Sequence, residues 1–185
     1  MTESTTAPAA NGEAAQMSEF ATIANIFIEP GNTFEDLRRK PRFIIAGIII
    51  ALLVGAYSFG LVYKFGEAGM RSFIAAEIEK SPRTASMSAS EKSAAVDLQM
   101  TISKVSQFII PIFVAIAMLL GGLFYWLAAK AFGGAGGFLH NLSVFVYSSL
   151  PPTIVSMVAS FIVMIFKSTD EIDLATSQRG LITAS

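Results

Sequence analysis

The stretch FIIAGIIIALLVGAYSFGLVY, Phe43–Tyr63, decides the fold, and two stretches of the same kind follow it. They are FIIPIFVAIAMLLGGLFYWLAA, Phe108–Ala129, and LSVFVYSSLPPTIVSMVASFIVMIF, Leu142–Phe166. None of the three contains Asp, Glu, Lys, Arg or His. A helix of about 20 such residues crosses a hydrocarbon core of about 30 Å, whereas a helix of a soluble protein keeps a polar side. The sequence therefore predicts an all-α, polytopic membrane protein with three transmembrane helices.

Composition agrees with that class and excludes others. The chain is 53% hydrophobic and 15% charged, against about 25% charged residues in a typical soluble domain. Its 185 residues leave room for one small membrane domain. A net charge of −1 gives no basis for nucleic acid as a partner, and the lack of cysteine excludes disulfides and thiolate chemistry. Because the first apolar run begins only at Phe43, it is predicted to be a retained anchor.

The N-terminal region divides into two parts. Residues 1–17 are poor in large apolar side chains and are predicted to form a disordered tail. Residues 18–42 form an amphipathic and basic segment, whose first part is predicted to be a short helix in the membrane interface. The alternative is that this helix packs against a loop of the same protein. Its apolar positions are Phe20, Ile23, Ala24, Phe27 and Ile28.

The second part of that segment, EPGNTFEDLRRKPRF, predicts a turn at Pro30 and a short helix capped by Asn32 or Thr33. Four cations, Arg38, Arg39, Lys40 and Arg42, precede the first apolar run. By the positive-inside rule they predict a cytoplasmic N-terminus, an extracytoplasmic loop 64–107, a cytoplasmic glycine loop and an external polar C-terminal segment 167–185.

Two amphipathic helices are predicted within 64–107, separated by the turn-rich stretch SPRTASMSAS. Ser90, followed by Glu91, is the expected start of the second helix. The apolar positions of the first helix are Phe73, Ile74 and Ile78, and those of the second are Leu98, Ile102 and Val105.

Small and hydroxylated residues recur inside the apolar runs, for example at Gly47, Ala51 and Gly55 and at Ala117 and Gly121. Such faces allow close packing between membrane helices of one chain or of a homo-oligomer. In the third run, Pro151 and Pro152 are expected to kink or break the helix, with hydroxyls of Ser148 and Ser149 helping to satisfy the freed carbonyls. The alternative function is transport, with a path along the hydroxyl-lined third helix at Ser149, Thr153 and Ser156.

The sequence offers no candidate catalytic residues. The loop FGGAGGF lacks the Lys-Ser/Thr pair of a phosphate-binding loop, and His140 is a single histidine without a neighbouring carboxylate. No ionisable residue lies inside the apolar runs, which argues against a proton path. The sequence therefore predicts no catalytic, cofactor-binding or metal-binding residue.

Two segments resemble a known family. NIFIEPGNTFEDLRRKPRF resembles the opening of Yip1-domain membrane proteins, and FGGAGGFLHNLSVFVYSSLPP resembles their glycine-rich loop and the helix after it. The resemblance covers about residues 26–166. The matching positions are Pro30, Thr33, Phe34, Pro41, Gly133, Gly134, Gly136, Phe138, Tyr147 and Pro151.

That resemblance implies a non-enzymatic, multi-pass membrane protein with a role in membrane organisation, trafficking or protein interaction. Eukaryotic members are associated with small Rab-type GTPases, and prokaryotic relatives are plasma-membrane proteins; the chain looks closer to the prokaryotic branch. The family usually has five spans, so the resemblance also implies that the chain is either a piece of a longer protein or a shortened member. The partners expected are the lipid bilayer and other proteins, with no cofactor.

Overall fold

The computed structural model describes residues 17–134, 136–169 and 172. Within these residues the structure consists of α-helices and one short 3₁₀ turn, Pro82–Thr84, without strands. Three of the helices are long and apolar enough to cross a membrane, which confirms the predicted all-α class with three candidate spans. The predicted tail and most of the C-terminal segment lie outside the described residues. The helices are α1 (Glu19–Ile28), α2 (Pro30–Arg39), α3 (Ile44–Lys80), α4 (Ala89–Ala131) and α5 (Phe138–Phe166).

Two of the long helices extend well beyond the apolar runs. With 37 residues in α3 and 43 in α4, their lengths are about 55 Å and 65 Å, roughly twice the hydrocarbon thickness. The segment 64–107 is therefore mostly helical and continuous with the spans on both sides. At Gly66 the backbone takes a φ of 64° and ψ of −179°, so α3 changes direction just after its membrane part.

The outer parts of α3 and α4 pack against each other through a small core of their own. It is formed by Met70 and Ile74 from α3 and by Val96 and Met100 from α4. Both predicted helices are present, the first in the outer part of α3 and the second running into the second span as α4. Of their predicted apolar positions, Ile74 is buried between the two helices, whereas Leu98, Ile102 and Val105 are exposed.

Helix starts differ from the predictions by two to four residues. Helix α4 is capped by Ser88, whose hydroxyl accepts from the Glu91 amide at 3.4 Å, and not by Ser90. Helix α2 begins at Pro30, because proline at the first helical position has a suitable φ and needs no hydrogen-bond partner for its nitrogen. Thr33 is consequently inside α2, and the prediction of a cap at Asn32 or Thr33 is wrong.

The membrane parts form a bundle in which α4 runs antiparallel to α3 and α5. An added Cβ at Gly121 would come within 2.2 Å of the Phe145 ring, and one at Gly122 within 2.9 Å of the Leu142 Cα. These glycines therefore allow α4 to approach α5 closely, as predicted for Gly121. At Gly55 nothing lies within 4 Å of an added Cβ, so the predicted small face is not used there.

Helix α5 is continuous through Pro151 and Pro152, so the predicted break is wrong. The predicted role of the neighbouring hydroxyls is also wrong. Ser148 and Ser149 both donate to the carbonyl of Phe145, at 3.0 and 2.8 Å, whereas the prolines remove the donors to residues 147 and 148. Packing on both sides of the proline pair, at Leu150 and Met157, supports the helix instead.

Candidate functional site at the membrane entrance

A helical hairpin, α1 and α2, is docked on the first turns of α5 where the chain enters the membrane. Ser18 caps α1 by accepting from the Ala21 amide at 3.2 Å. The docked sides of the two helices are buried: Thr22 and Ile26 from α1, Thr33 and Leu37 from α2. We call these two helices, residues 19–39, the docked hairpin.

The opposite side of α1 remains apolar and exposed. Phe20 and Ile28 are 75% and 76% exposed, and Phe27 is also exposed. Of the predicted apolar positions, only Ile23 packs against the protein core. Helix α1 therefore contacts the protein on one side and offers an apolar side to its surroundings, as a helix lying in the interface does.

A buried ion pair connects α2 to the linker before α3. The carboxylate of Asp36 accepts from the guanidinium of Arg42, and their side chains are only 7% and 8% exposed. The same guanidinium donates to the carbonyl of Met17, whose amide donates to Asp36 at 3.4 Å. The pair thus links α2, the entry to α3 and the start of α1.

Sequence reasoning missed this pair, because it predicted no contact for Asp36 and treated Arg42 as one of the four cations that indicate the orientation. The available signal was weak: Arg42 stands alone between Pro41 and the first apolar residue, six positions after Asp36. Since residues 40–43 are not helical, no helix spacing predicts the contact.

Tyr147 of α5 is fully buried in the core on which the hairpin docks. Glu19 and Arg42 are both close enough to act electrostatically on its hydroxyl. Within the described part of the chain, three buried atoms here have no hydrogen-bond partner: the Tyr147 hydroxyl, Nε of Arg42 and one Glu19 carboxylate oxygen. The hairpin therefore covers a polar cluster at the end of an apolar bundle.

The glycine loop ends α4 on the same side of the bundle. The amide of Gly134 donates to the Ala129 carbonyl at 2.7 Å, and that of Gly133 to Lys130 at 3.1 Å. With a φ of 81° at Gly133, these bonds form a Schellman motif. A Cβ at Gly134 would lie 2.8 Å from the Ala129 carbonyl oxygen, so both glycines are required for this tight helix end.

Comparison with known proteins finds one matching family. A family model described as the Yip1 domain matches residues 24–183, from the middle of α1 to near the end of the chain. The chain belongs to the Yip1 family. This confirms the resemblance found in the two sequence segments. No curated protein and no solved structure matches the chain.

Within the Yip1 domain, the residues of the two sequence motifs divide by burial. Thr33 and Tyr147 are fully buried, and Phe34 and Phe138 pack against the main core of the bundle. The two motifs, more than 100 residues apart, thus meet in one place. The remaining positions are half-buried (Pro41, Pro151) or exposed (Pro30, Gly133, Gly134, Gly136).

Two of the three hydroxyls on the predicted transport path, those of Ser149 and Thr153, bond to their own helix. Ser149 donates to Phe145, and Thr153 donates to Ser149 at 2.7 Å. Such bonds satisfy the hydroxyls without water or a substrate. In the described part of the Yip1 domain, no group of three or more His, Cys, Asp or Glu side chains could hold a metal ion.

Proposed function

We propose that this Yip1-domain protein is a non-enzymatic membrane organiser that binds a protein partner at the cytoplasmic face of a prokaryotic plasma membrane. The observation that carries the proposal is the docked hairpin, held on α5 by the buried Asp36–Arg42 pair. A hairpin fixed in this way presents an ordered surface at a constant position above the bilayer. Ordering a binding surface in advance reduces the entropic cost of association.

The exposed side of α2 is the part of this surface best suited to a polar partner. It carries Asn32 and Glu35, both exposed, whereas Thr33 is buried and Phe34 packs against the bundle. The buried motif residues therefore position the surface, and the exposed residues beside them make the contact.

The distribution of cations supports a cytoplasmic docked hairpin. Although Arg42 is used in the buried pair, Arg38, Arg39 and Lys40 remain exposed at this end. At the opposite end the six cations of the segment 64–107 are spread along its whole length instead of clustering beside a span, and one of them, Lys64, donates to the carbonyls of Met164 and Lys167 and thereby caps α5. The positive-inside rule then assigns the cytoplasm to the hairpin and the glycine loop.

Transport along α5 has less support. A path would need hydroxyls that are free to contact a substrate, whereas Ser149 and Thr153 donate to carbonyls of their own helix. Unreactive cysteines at those two positions, probed with a water-soluble thiol reagent in folded protein, would agree with this view.

The partner can be sought with a photoreactive amino acid at Asn32, in cells that express the full chain. The proposal predicts one recurrent protein adduct at Asn32, and its loss when Asp36→Asn releases the hairpin. The same probe at Ser86, which is exposed at the other end of the molecule, is the matched control and should not give that adduct. Adducts with lipid alone at Asn32, or equal protein adducts at both positions, would refute the proposed role.

A further inference from the structure

An apolar groove opens on the bundle between α3 and α4, just inside the membrane entrance. Its volume is about 410 Å³, within the range of about 300–1,000 Å³ typical of ligand sites. It is lined by Phe43 just before α3, by Gly47 and Ala51 of α3, and by Ala115 and Met118 of α4. The groove exists because Gly47, Ala51 and Ala115 leave space where larger side chains would fill it.

Its depth and lining favour a hydrocarbon ligand. All the lining residues, including Leu142 and Val146 of α5, lie inside the three apolar runs, where the solvent is lipid, and none of them carries a charge. Phe43 and the first two turns of α3 form one side of the groove, over residues 43–51. An acyl chain can occupy an apolar groove at this depth without a polar partner. A helix of a second copy would bring only an uncharged apolar run to this place, and would leave the cations beside the groove without a counter-charge.

Cations with little pairing lie next to the groove's end at the membrane surface. Phe43, which lines the groove, directly follows the basic stretch 38–42. Arg39 pairs with Glu35 at 2.9 Å and Arg42 with Asp36, but Arg38 only approaches Glu35 at 4.0 Å. Lys40 is exposed and has no salt bridge among the described residues. Basic residues at the headgroup level attract anionic lipids.

We propose that this groove binds one acyl chain of an anionic phospholipid, whose phosphate lies against Arg38 and Lys40. The two parts of the site have different roles. The groove selects a hydrocarbon chain of any phospholipid, and the two cations select a negatively charged headgroup. Each cation near the surface favours an anionic lipid by about 1 kcal/mol, or roughly fivefold, so the two together should give a preference of about 25-fold at low salt.

The test uses the full chain in nanodiscs that contain phosphatidylglycerol or phosphatidylcholine with a photoreactive group on one acyl chain. In the unmodified protein, adducts should concentrate on residues 43–51 and 111–119, with phosphatidylglycerol preferred. Ala115→Phe fills the groove and should reduce these adducts at least about tenfold with both lipids. Ala117→Phe is the matched control, since Ala117 is exposed on α4 outside the groove lining and should keep them.

Headgroup selection is tested separately. The double variant Arg38→Gln, Lys40→Gln should lose the preference for phosphatidylglycerol while adducts in the groove persist. Lys80→Gln, an exposed cation at the far end of α3, should leave the preference unchanged.

Two results would overturn the proposal. One is an even distribution of adducts over the exposed apolar side of α4 in the unmodified protein, a measurement that does not depend on whether Ala115→Phe folds. The other is a crosslinked dimer through residues 111–119 in place of lipid adducts.

Discussion

Removing the charge of Asp36 should release the docked hairpin from the bundle. In Asp36→Asn the amide retains the shape of the carboxylate, but the guanidinium of Arg42 is left buried without its counter-charge. Breaking a buried ion pair in this way costs about 3–5 kcal/mol. Because 1.4 kcal/mol corresponds to a factor of ten, the undocked fraction should rise by about 100-fold or more.

The matched control is the neighbouring residue. Glu35 forms its ion pair with Arg39 on the surface, where the two side chains are 52% and 45% exposed. Such pairs contribute about 0–1 kcal/mol, so Glu35→Gln should raise undocking no more than about fivefold. Both variants remove one negative charge from the same helix and differ only in burial.

Undocking can be measured through a single cysteine, since the chain contains none. Thr22→Cys places a thiol on the fully buried side of α1, where a maleimide reacts only after the hairpin opens. The expected labelling rates are about 100-fold above the parent for Asp36→Asn and within about fivefold for Glu35→Gln. The double variant Asp36→Leu, Arg42→Met should label more slowly than Asp36→Asn, because no charge remains buried. Equal rates for Asp36→Asn and Glu35→Gln would refute the role assigned to the buried pair.

Two further predictions concern helix contacts and pH. Gly122→Ala should destabilise the bundle by about 1–3 kcal/mol in a detergent unfolding titration, because its Cβ would lie 2.9 Å from the Leu142 Cα; Gly55→Ala, with nothing within 4 Å, should not. Hydrogen bonds from Ser88 hold the pKa of the Glu91 carboxyl below its ordinary value of 4.5. These hydrogen bonds therefore stabilise the start of α4 above pH 4.5, and their contribution is lost as the pH falls through the lowered pKa. Hydrogen exchange in the first turn of α4 should consequently accelerate on acidification, beyond the change in the intrinsic exchange rate. Ser88→Ala should accelerate hydrogen exchange in this turn already at neutral pH and weaken the dependence of the exchange on pH.

The spans could be predicted from sequence because the absence of charge is a local property. The ends of the helices could not. The prediction ended the first span at Tyr63 because a charge follows, yet a helix leaving the membrane needs no apolar residues and α3 continues to Lys80. Likewise, the start of α2 depends on the conformation of Pro30, while the prediction relied on the capping ability of Asn32 and Thr33.

The candidate site was predicted in part. The two motif segments were recognised, and Phe34 of the first packs against the core cluster that contains Tyr147 of the second. The ion pair that holds the docked hairpin was not predicted, because Asp36 and Arg42 come together only when the linker after α2 turns back toward α1. Contacts of this kind depend on tertiary structure and leave no periodic pattern in the sequence.

We propose that the docked hairpin and the glycine loop lie on one side of the membrane, and that the outer parts of α3 and α4 lie on the other. Single cysteines at Asn32, Phe132 and Ser86, all exposed, can be labelled with a membrane-impermeant thiol reagent in intact cells and in inside-out vesicles. Ser86→Cys should be labelled only from outside, and Asn32→Cys and Phe132→Cys only from the cytoplasmic side. Labelling of Ser86→Cys and Phe132→Cys from the same side would contradict it.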